Sequence, residues 1–593
     1  MKITRIFDLL ERYKNKFDKA DAFVSKKDGK WVKVSSEEYY ENAHLFSYGL
    51  LAMGFKKGDK IASISNNRPE WNIVDMGMLM LGVVHVPIFN TLSVKEYKYI
   101  LKHSEVRAVI VSNAPIHKTI KEAFKNIGST NDIYSFNTIA DVPSWTVIIE
   151  LGRKNIDKFK TELEKIKKGI TEEDFASLIY TSGTTGTSKG VMLSHKNMVQ
   201  NFLAAAKVFK LTPTDKYLSI LPLCHVGGRM GNYQTQHSGC SIYYAESMAS
   251  IAKDMKEIKP AGFDAVPRIL EKIYDSIIAK GKKLKGIKKH IFFWAVGVGL
   301  DYRITGFGLP FYKMKLKIAD QLIFSKWREA IGGKIRVVGC GGASLQPRLE
   351  RVFWASGIKI LNMYGLTETS PIITINRAEK PDVELGSIGP VIDGVEIKIA
   401  DDGEILCKGH NIMMGYYKNP KLTAEVFDED GWFRTGDIGV IEDGKFLYVT
   451  DRKKEIFKLS NGKYVAPQSI EGRFKESVFV DQAMVVGENE KFASALISPN
   501  FSYINDWCEE NEIPLATNKE LIKLPEILEV FSSEVKRINK ELSNPEKILR
   551  FKLVADEWTS GSGELSPTLK LKRKFIDNKY KSILQEVYVK NTY

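Results

Sequence analysis

Apolar positions along this chain switch repeatedly between the two spacings that mark helices and strands. WNIVDMGMLMLG, residues 71–82, is apolar on nearly every side and predicts a buried helix, with VHVPIF (84–89) a strand behind it. VKEYKYILKHS (94–104) has amphipathic helical spacing, and RAVIVS (107–112) is a short β-branched run typical of a buried strand. The rhythm returns in IAKDMKEIK (251–259), with Ile251, Met255 and Ile258 along one helical face, and in the strand GFDAVP (262–267). KIRVVGCGG (334–342) and IKILNMYG (358–365) predict further strands that run into glycine-rich loops, where open α/β sheets place their ligands.

From about Gly386 the texture changes. VEIKI, GEILCKG and KFLYVT alternate with Asp-Gly turns, which predicts a β-rich subdomain. After the charged stretch DRKKEIFK (451–458), strands QAMVVGE and ASALISP accompany a long charged helix in LEVFSSEVKRINKE (528–541). The predicted fold is a large multi-sheet α/β N-terminal domain over residues 1–453, including the β-rich part, joined by a hinge to a small α+β domain over 454–593. Residues 301–332 add a basic amphipathic element, read either as packed helix or as a membrane-facing surface.

Composition narrows the class. A chain of 593 residues, 44% hydrophobic and 27% charged, fits a large globular protein and excludes wholesale disorder. Its 87 basic and 72 acidic residues leave a formal +15, which favours anionic partners such as nucleotides, nucleic acid or an acidic membrane. Cys224, Cys240, Cys340, Cys407 and Cys508 are odd in number, widely spaced and free of any CxxC pair, so neither a disulfide framework nor a structural zinc site is indicated. The charged N-terminus does not suit a signal peptide, and the apolar run Ile73–Phe89 is broken by Asp75 and His85. The expectation is a cytoplasmic protein, with peripheral contact at an acidic membrane surface left open.

The sharpest chemical feature is Tyr180-Thr181-Ser182-Gly183-Thr184-Thr185-Gly186-Thr187-Ser188-Lys189-Gly190, directly after the apolar run FASLIY. Its glycines permit tight turns and close approach of backbone N–H groups to an anion, its hydroxyls add donors, and Lys189 adds a mobile positive charge. That composition suits a polyphosphate, although the P-loop spacing is absent. Further on stand Gly341-Gly342-Ala343, Tyr364-Gly365-Leu366-Thr367-Glu368, and Gly431 to Asp437 as GWFRTGD. Asp451-Arg452-Lys453-Lys454-Glu455, Asn461 to Pro467 as NGKYVAP, and Leu565 to Lys570 as LSPTLK complete the series.

In this order the motifs resemble the adenylate-forming enzymes, a superfamily of acyl-CoA synthetases, firefly luciferase and peptide-synthetase adenylation domains, over nearly the whole chain. The resemblance implies that Thr181 to Gly186 and Lys189 hold the phosphates of ATP, and that Glu368, with Thr184, ligates Mg²⁺. A carboxylate beside triphosphate needs an intervening cation, and Mg²⁺ takes oxygen ligands. It further places Thr367 near the α-phosphate, Asp437 on the ribose hydroxyls and Arg452 as a second nucleotide contact. Gly341, Gly342 and Ala343 would let adenine lie against a strand end, with Gly365 beside it and Tyr364 stacked on the ring. Lys570 maps to the lysine that bridges carboxylate and phosphate in adenylation, with Lys572 its nearby competitor. Two residues beyond Arg452, Lys454 falls at the position about which relatives rotate the C-terminal domain. His225, in LPLCHVGGR, resembles the histidine that borders the acyl carboxylate. Long-chain synthetases usually continue as HxxER, whereas here Gly228 replaces the glutamate, leaving space and removing a charge.

SIYYAES, VPRILEKIYDSI, the basic insertion after Lys282 and LSPTLKLKRK are similar to the long-chain branch. The implied reaction joins a medium- or long-chain fatty acid to coenzyme A through an acyl-adenylate, using ATP and Mg²⁺ and releasing AMP and pyrophosphate. Phe263, Val266 and Tyr233 are the expected lining of an acyl tunnel. The alternatives are a fatty acyl-AMP ligase that delivers to a carrier protein, and a non-catalytic acyl or nucleotide sensor, against which Lys189, Thr367, Glu368, Asp437, Arg452 and Lys570 argue. Nucleic acid is not an expected partner, since no recognition motif with interleaved aromatics accompanies the charge. A homodimer is left open.

Overall fold

The computed structural model describes residues 2–125, 132–182, 188–247, 249–304, 310–566 and 569–588. The chain divides into two compact units, one of residues 1–397 with 406–434 and the other of residues 398–405 with 435–593.

The first unit holds two large sheets. In the first, seven strands run in the order Gly415–Tyr416, Ser188–Ser194, Phe175–Ser182, Val84–Ile88, Lys60–Ile64, Ala108–Val111 and Asp132–Ser135. The strands from Phe175–Ser182 to Asp132–Ser135 are parallel, while Ser188–Ser194 returns antiparallel from the glycine-rich loop. Both Val84–Ile88 and Ala108–Val111 are buried along their whole length, which explains why they read as unbroken apolar runs. The other sheet has eight strands, with a parallel centre built from Ser241–Tyr244, Lys216–Ser219, Gly262–Ala265, Val337–Cys340 and Lys359–Gly365.

Local chemistry sets the helices that pack on these sheets. Helix Val94–Ser104 starts in a capping box, in which Ser93 accepts from the Glu96 N–H and the Glu96 carboxylate accepts from the Ser93 N–H. Pro69 opens helix Pro69–Met80, two residues ahead of the predicted start, because its fixed φ and missing N–H suit the first helical position. The basic element expected over 301–332 forms helices Pro310–Ala319 and Ser325–Ala330 with a π-helical turn, Asp320–Phe324, between them.

The stretch after Gly386 is β-rich, with strands Val395–Ile399, Glu404–Gly409, Phe433–Glu442 and Phe446–Arg452. In the second unit, a hairpin pairs Asp437 with Arg452 and Glu442 with Phe446. The same unit has a sheet of Val480–Val486, Ala493–Pro499 and Ile548–Leu553, packed by helices Pro467–Phe474 and Pro525–Asn539. The large multi-sheet α/β part and smaller α+β part match the predicted fold class. All five cysteines are buried and none is paired.

Candidate active site

Lys189 lies where the hairpin that brackets the glycine-rich loop begins its return strand, opposite Thr181. Ser182 ends the outgoing strand, and Gly183, Thr184, Thr185 and Gly186 lie outside the described residues. The Lys189 ammonium sits 5.0 Å from the centre of the Tyr416 ring. Tyr416 in turn donates its hydroxyl to Glu368 Oε1 at 2.8 Å, and burial beside that carboxylate raises the phenol's pKa. Glu368 follows strand Lys359–Gly365 on a short 3-10 turn, Thr367–Thr369, so Glu368 and Lys189 meet on one tyrosine, with Thr367 next to Glu368 in the turn. Sequence reasoning missed Tyr416. Its only signal was a Gly-Tyr-Tyr triplet after an apolar stretch, and its partner is 48 residues away.

Among the described residues no cluster of three or more His, Cys, Asp or Glu side chains could hold a metal. A single carboxylate, Glu368, suits Mg²⁺ better than a metal that needs an all-protein cage, because Mg²⁺ keeps waters and takes substrate phosphate oxygens.

The glycines expected at the nucleotide base divide in role. Gly342 adopts φ +84°, the left-handed region, and its missing side chain would face Val266 at 3.5 Å. At Gly365 a Cβ would stand 1.7 Å from the Pro371 carbonyl oxygen, so glycine there is demanded by the backbone's own packing at an irregularity in the strand. Gly341 is intermediate, with a Cβ 3.1 Å from the Met363 carbonyl oxygen. Ala343 follows in the same loop, and Tyr364 is half-buried against the main core.

His225 caps helix Val226–Ser238. Its Nδ1 accepts from the Gly227 N–H at 3.1 Å, which sends Nε2 the other way, and its ring lies 6.3 Å from Phe89. Gly228 corrects the expectation of added space. A Cβ there would meet the Pro222 carbonyl oxygen at 2.4 Å and that of Leu221 at 2.8 Å, because the helix rides directly on this backbone. The neighbouring Arg229 is fully buried and reaches Asp75 Oδ1 at 2.5 Å. His85 Nδ1 bonds the same oxygen at 2.7 Å, and Tyr233 donates to Asp75 Oδ2 at 2.5 Å.

Tyr233 therefore belongs to a buried polar cluster, with no solvent-sized space against its side chain, and Phe263 is likewise enclosed. Of the three expected tunnel residues only Val266 is partly exposed. Beside the helix a cavity of about one water's volume is lined by Ser219, Leu221, Gly228, Gly231, Asn232 and Asp264. Asp264 is buried, its Oδ1 has no hydrogen-bond partner among the described residues, and burial pushes its carboxyl up to about 7. Side chains at Gly231 and Gly339 would collide with its two oxygens at 2.0 and 2.3 Å, so both glycines make room for the carboxyl.

In the second unit Asp437 and Arg452 meet across the hairpin, Arg452 Nε lying 3.0 Å from Asp437 Oδ1. Lys454 is exposed in the turn that follows. The Lys570 side chain is exposed too, while its backbone N–H donates to Ser566 Oγ and its carbonyl accepts from the Ser566 N–H. Lys572, the competitor, directly precedes helix Arg573–Lys579 and lies 5.9 Å from the Phe575 ring.

Residues 10–417 match the AMP-binding enzyme family, and residues 454–592 match the AMP-binding enzyme C-terminal domain. The chain belongs to the AMP-binding, or adenylate-forming, enzymes. It is 31% identical to the long-chain-fatty-acid–CoA ligase FadD15 of Mycobacterium bovis over 571 residues, which span 95% of this chain and 93% of that protein. The human long-chain-fatty-acid–CoA ligase ACSBG2 is 29% identical, over 97% of this chain and 91% of its own. Among solved structures, the A domain of carboxylic acid reductase from Segniliparus rugosus, in complex with AMP and a carboxylic acid, superposes with a TM-score of 0.74 at 21% identity. That match covers 98% of this chain and 94% of the other. Within its family the chain falls in the branch that resembles long-chain acyl-CoA ligases, and it is an adenylate-forming enzyme acting on a carboxylic acid with ATP.

Proposed function

We propose that this enzyme ligates a medium- or long-chain fatty acid to coenzyme A, with Mg²⁺, through an acyl-adenylate. The observation that carries this reading is the meeting on Tyr416 of Glu368 and Lys189, the latter on the return strand of the hairpin whose loop composition suits polyphosphate. The extended similarity to FadD15 and ACSBG2 supports the acyl and acceptor classes.

The chemistry follows from charge. Carboxylate and triphosphate repel, so attack of the acid on the α-phosphorus requires cationic groups aimed at the oxygens where charge collects. Lys189 would anchor the phosphates, Thr367 would donate to the α-phosphate, and Glu368 would hold Mg²⁺ with Thr184 as a second oxygen donor. Bound there, the metal would neutralise phosphate charge. Asp437 would accept the ribose hydroxyls, with Arg452 holding that carboxylate in place. Lys570 would bridge the acyl carboxylate and the α-phosphate during adenylation. His225, its Nδ1 committed to the Gly227 N–H, would present Nε2 to the acyl carboxylate. Thioester formation needs a different arrangement at the same carbonyl, and a turn about Lys454 is the proposed change.

The test separates the two half-reactions. Lys570→Ala is expected to lower acid-dependent ATP–pyrophosphate exchange by about a hundredfold or more while leaving ATP binding within a few-fold. Unchanged exchange would remove Lys570 from its assigned role.

A further inference from the structure

Helix Pro310–Ala319 and the turn Asp320–Phe324 present two apolar faces. Tyr312, Leu316, Ala319 and Ile323 point inward, packed on the main core, with the Tyr312 hydroxyl donating to the Val298 carbonyl at 2.9 Å. The opposite face carries Phe311, Met314, Ile318 and Leu322, at a spacing of three, four and four residues, exposed by 61, 51, 40 and 43%. Single exposed apolar residues are ordinary, but four in register along one face are not scatter. Lys313 and Lys317 flank this stripe in solvent, and the Lys315 ammonium lies 4.6 Å from the Phe311 ring. Helix Gly286–Leu300, which packs against it, exposes Ile287 and Trp294 together with Lys288 and Lys289.

We infer that this helical face is an interfacial docking surface for an anionic lipid bilayer. Charge selects the occupant. From Lys280 to Lys326 the sequence has eleven lysines and arginines against Asp301 and Asp320 alone, more than half of the chain's formal +15. A second copy of the same face would bring like charges together, whereas anionic headgroups meet the lysines while the acyl boundary takes the apolar stripe. Among the described residues no helix is long and apolar enough to cross a membrane, so the surface lies on the bilayer rather than in it. The inference stands on this surface alone, whatever acid the enzyme activates.

The test is flotation of the full-length protein with phosphatidylcholine vesicles, with and without phosphatidylglycerol. Binding is expected only with the anionic lipid, weakening as salt is raised. The variant F311S/M314S/I318S/L322S should lower partitioning by about tenfold or more, with the thermal unfolding curve and ATP–pyrophosphate exchange unchanged. Lys313→Glu with Lys317→Glu is the second arm, which changes no packed residue and should remove the salt-sensitive part of the binding. Absence of binding by the wild type, or equal partitioning of wild type and both variants, would overturn the inference. So would a concentration-dependent dimer that the serine variant dissolves, or binding to polyglutamate without binding to anionic vesicles.

Discussion

Asp264 should leave a visible mark on the pH dependence of stability. In the unfolded chain its carboxyl ionises near the ordinary value of 3.8, whereas in the folded protein burial holds the proton up to about pH 7. The folded state therefore binds more protons than the unfolded state between those values, and stability falls as pH rises through that window. Glu350, also buried and pushed up to about 8, acts in the same direction. Asp264→Asn removes the ionisation and keeps the shape. Urea unfolding at about pH 5 and about pH 7.5 should show a clear loss for the wild type, of at most about 3 kcal/mol from this group, and a smaller one for the variant. Identical slopes would show that Asp264 ionises freely in the fold. Tyr416 offers a second measurement. Tyr416→Phe deletes the O–H that holds Glu368 Oε1, so the Mg²⁺ concentration for half-maximal exchange should rise by up to about tenfold. An unchanged Mg²⁺ requirement would separate Glu368 from the metal.

Helices Pro69–Met80 and Val226–Ser238 are held together by charge inside the core. Arg229 and Asp75, 154 residues apart, form a fully buried pair to which His85 and Tyr233 add bonds on either carboxylate oxygen. Trp71 lies against both the Arg229 guanidinium and the His85 ring. Burial alone would raise Asp75, but Arg229 and His85 keep it ionised and below the usual carboxylate range. Breaking one member of such a pair typically removes about 3–5 kcal/mol, because it strands the other charge. Asp75→Ala should therefore destabilise strongly, and the double change Asp75→Leu with Arg229→Met should recover part of the loss in chemical denaturation. If the double variant is no better than the single, the pair is not what is being measured. This cluster was invisible in the sequence, where Asp75 reads as an interruption of an apolar run. Helix Val94–Ser104 and strand Val395–Ile399 were legible to the residue, because capping and periodicity are local. Gly228 was misread for the opposite reason: its contact with the Pro222 and Leu221 carbonyls depends on how the helix sits, which spacing does not reveal.

The architecture taken whole was the most legible feature, because motifs carrying a single chemistry recur in fixed order from Tyr180 to Lys570. The family match over residues 10–417 and 454–592 spans the same ground. What local sequence could not supply was the tertiary meeting of those motifs: Tyr416 joins Lys189 to Glu368, and Arg452 meets Asp437 across a hairpin. The same gap explains why Tyr233 reads as acyl lining although its hydroxyl is bonded into the Asp75 cluster. Passage of the activated acid to coenzyme A is the proposed step on which the functional reading turns. It is tested most directly by incubating the enzyme with ATP, Mg²⁺ and coenzyme A across saturated acids from acetate to stearate, and quantifying thioester, AMP and pyrophosphate together. Acyl-CoA is expected in equal amounts with AMP and pyrophosphate, rising toward the longer chains. AMP and pyrophosphate without acyl-CoA, or no turnover with any acid on the panel, would contradict it.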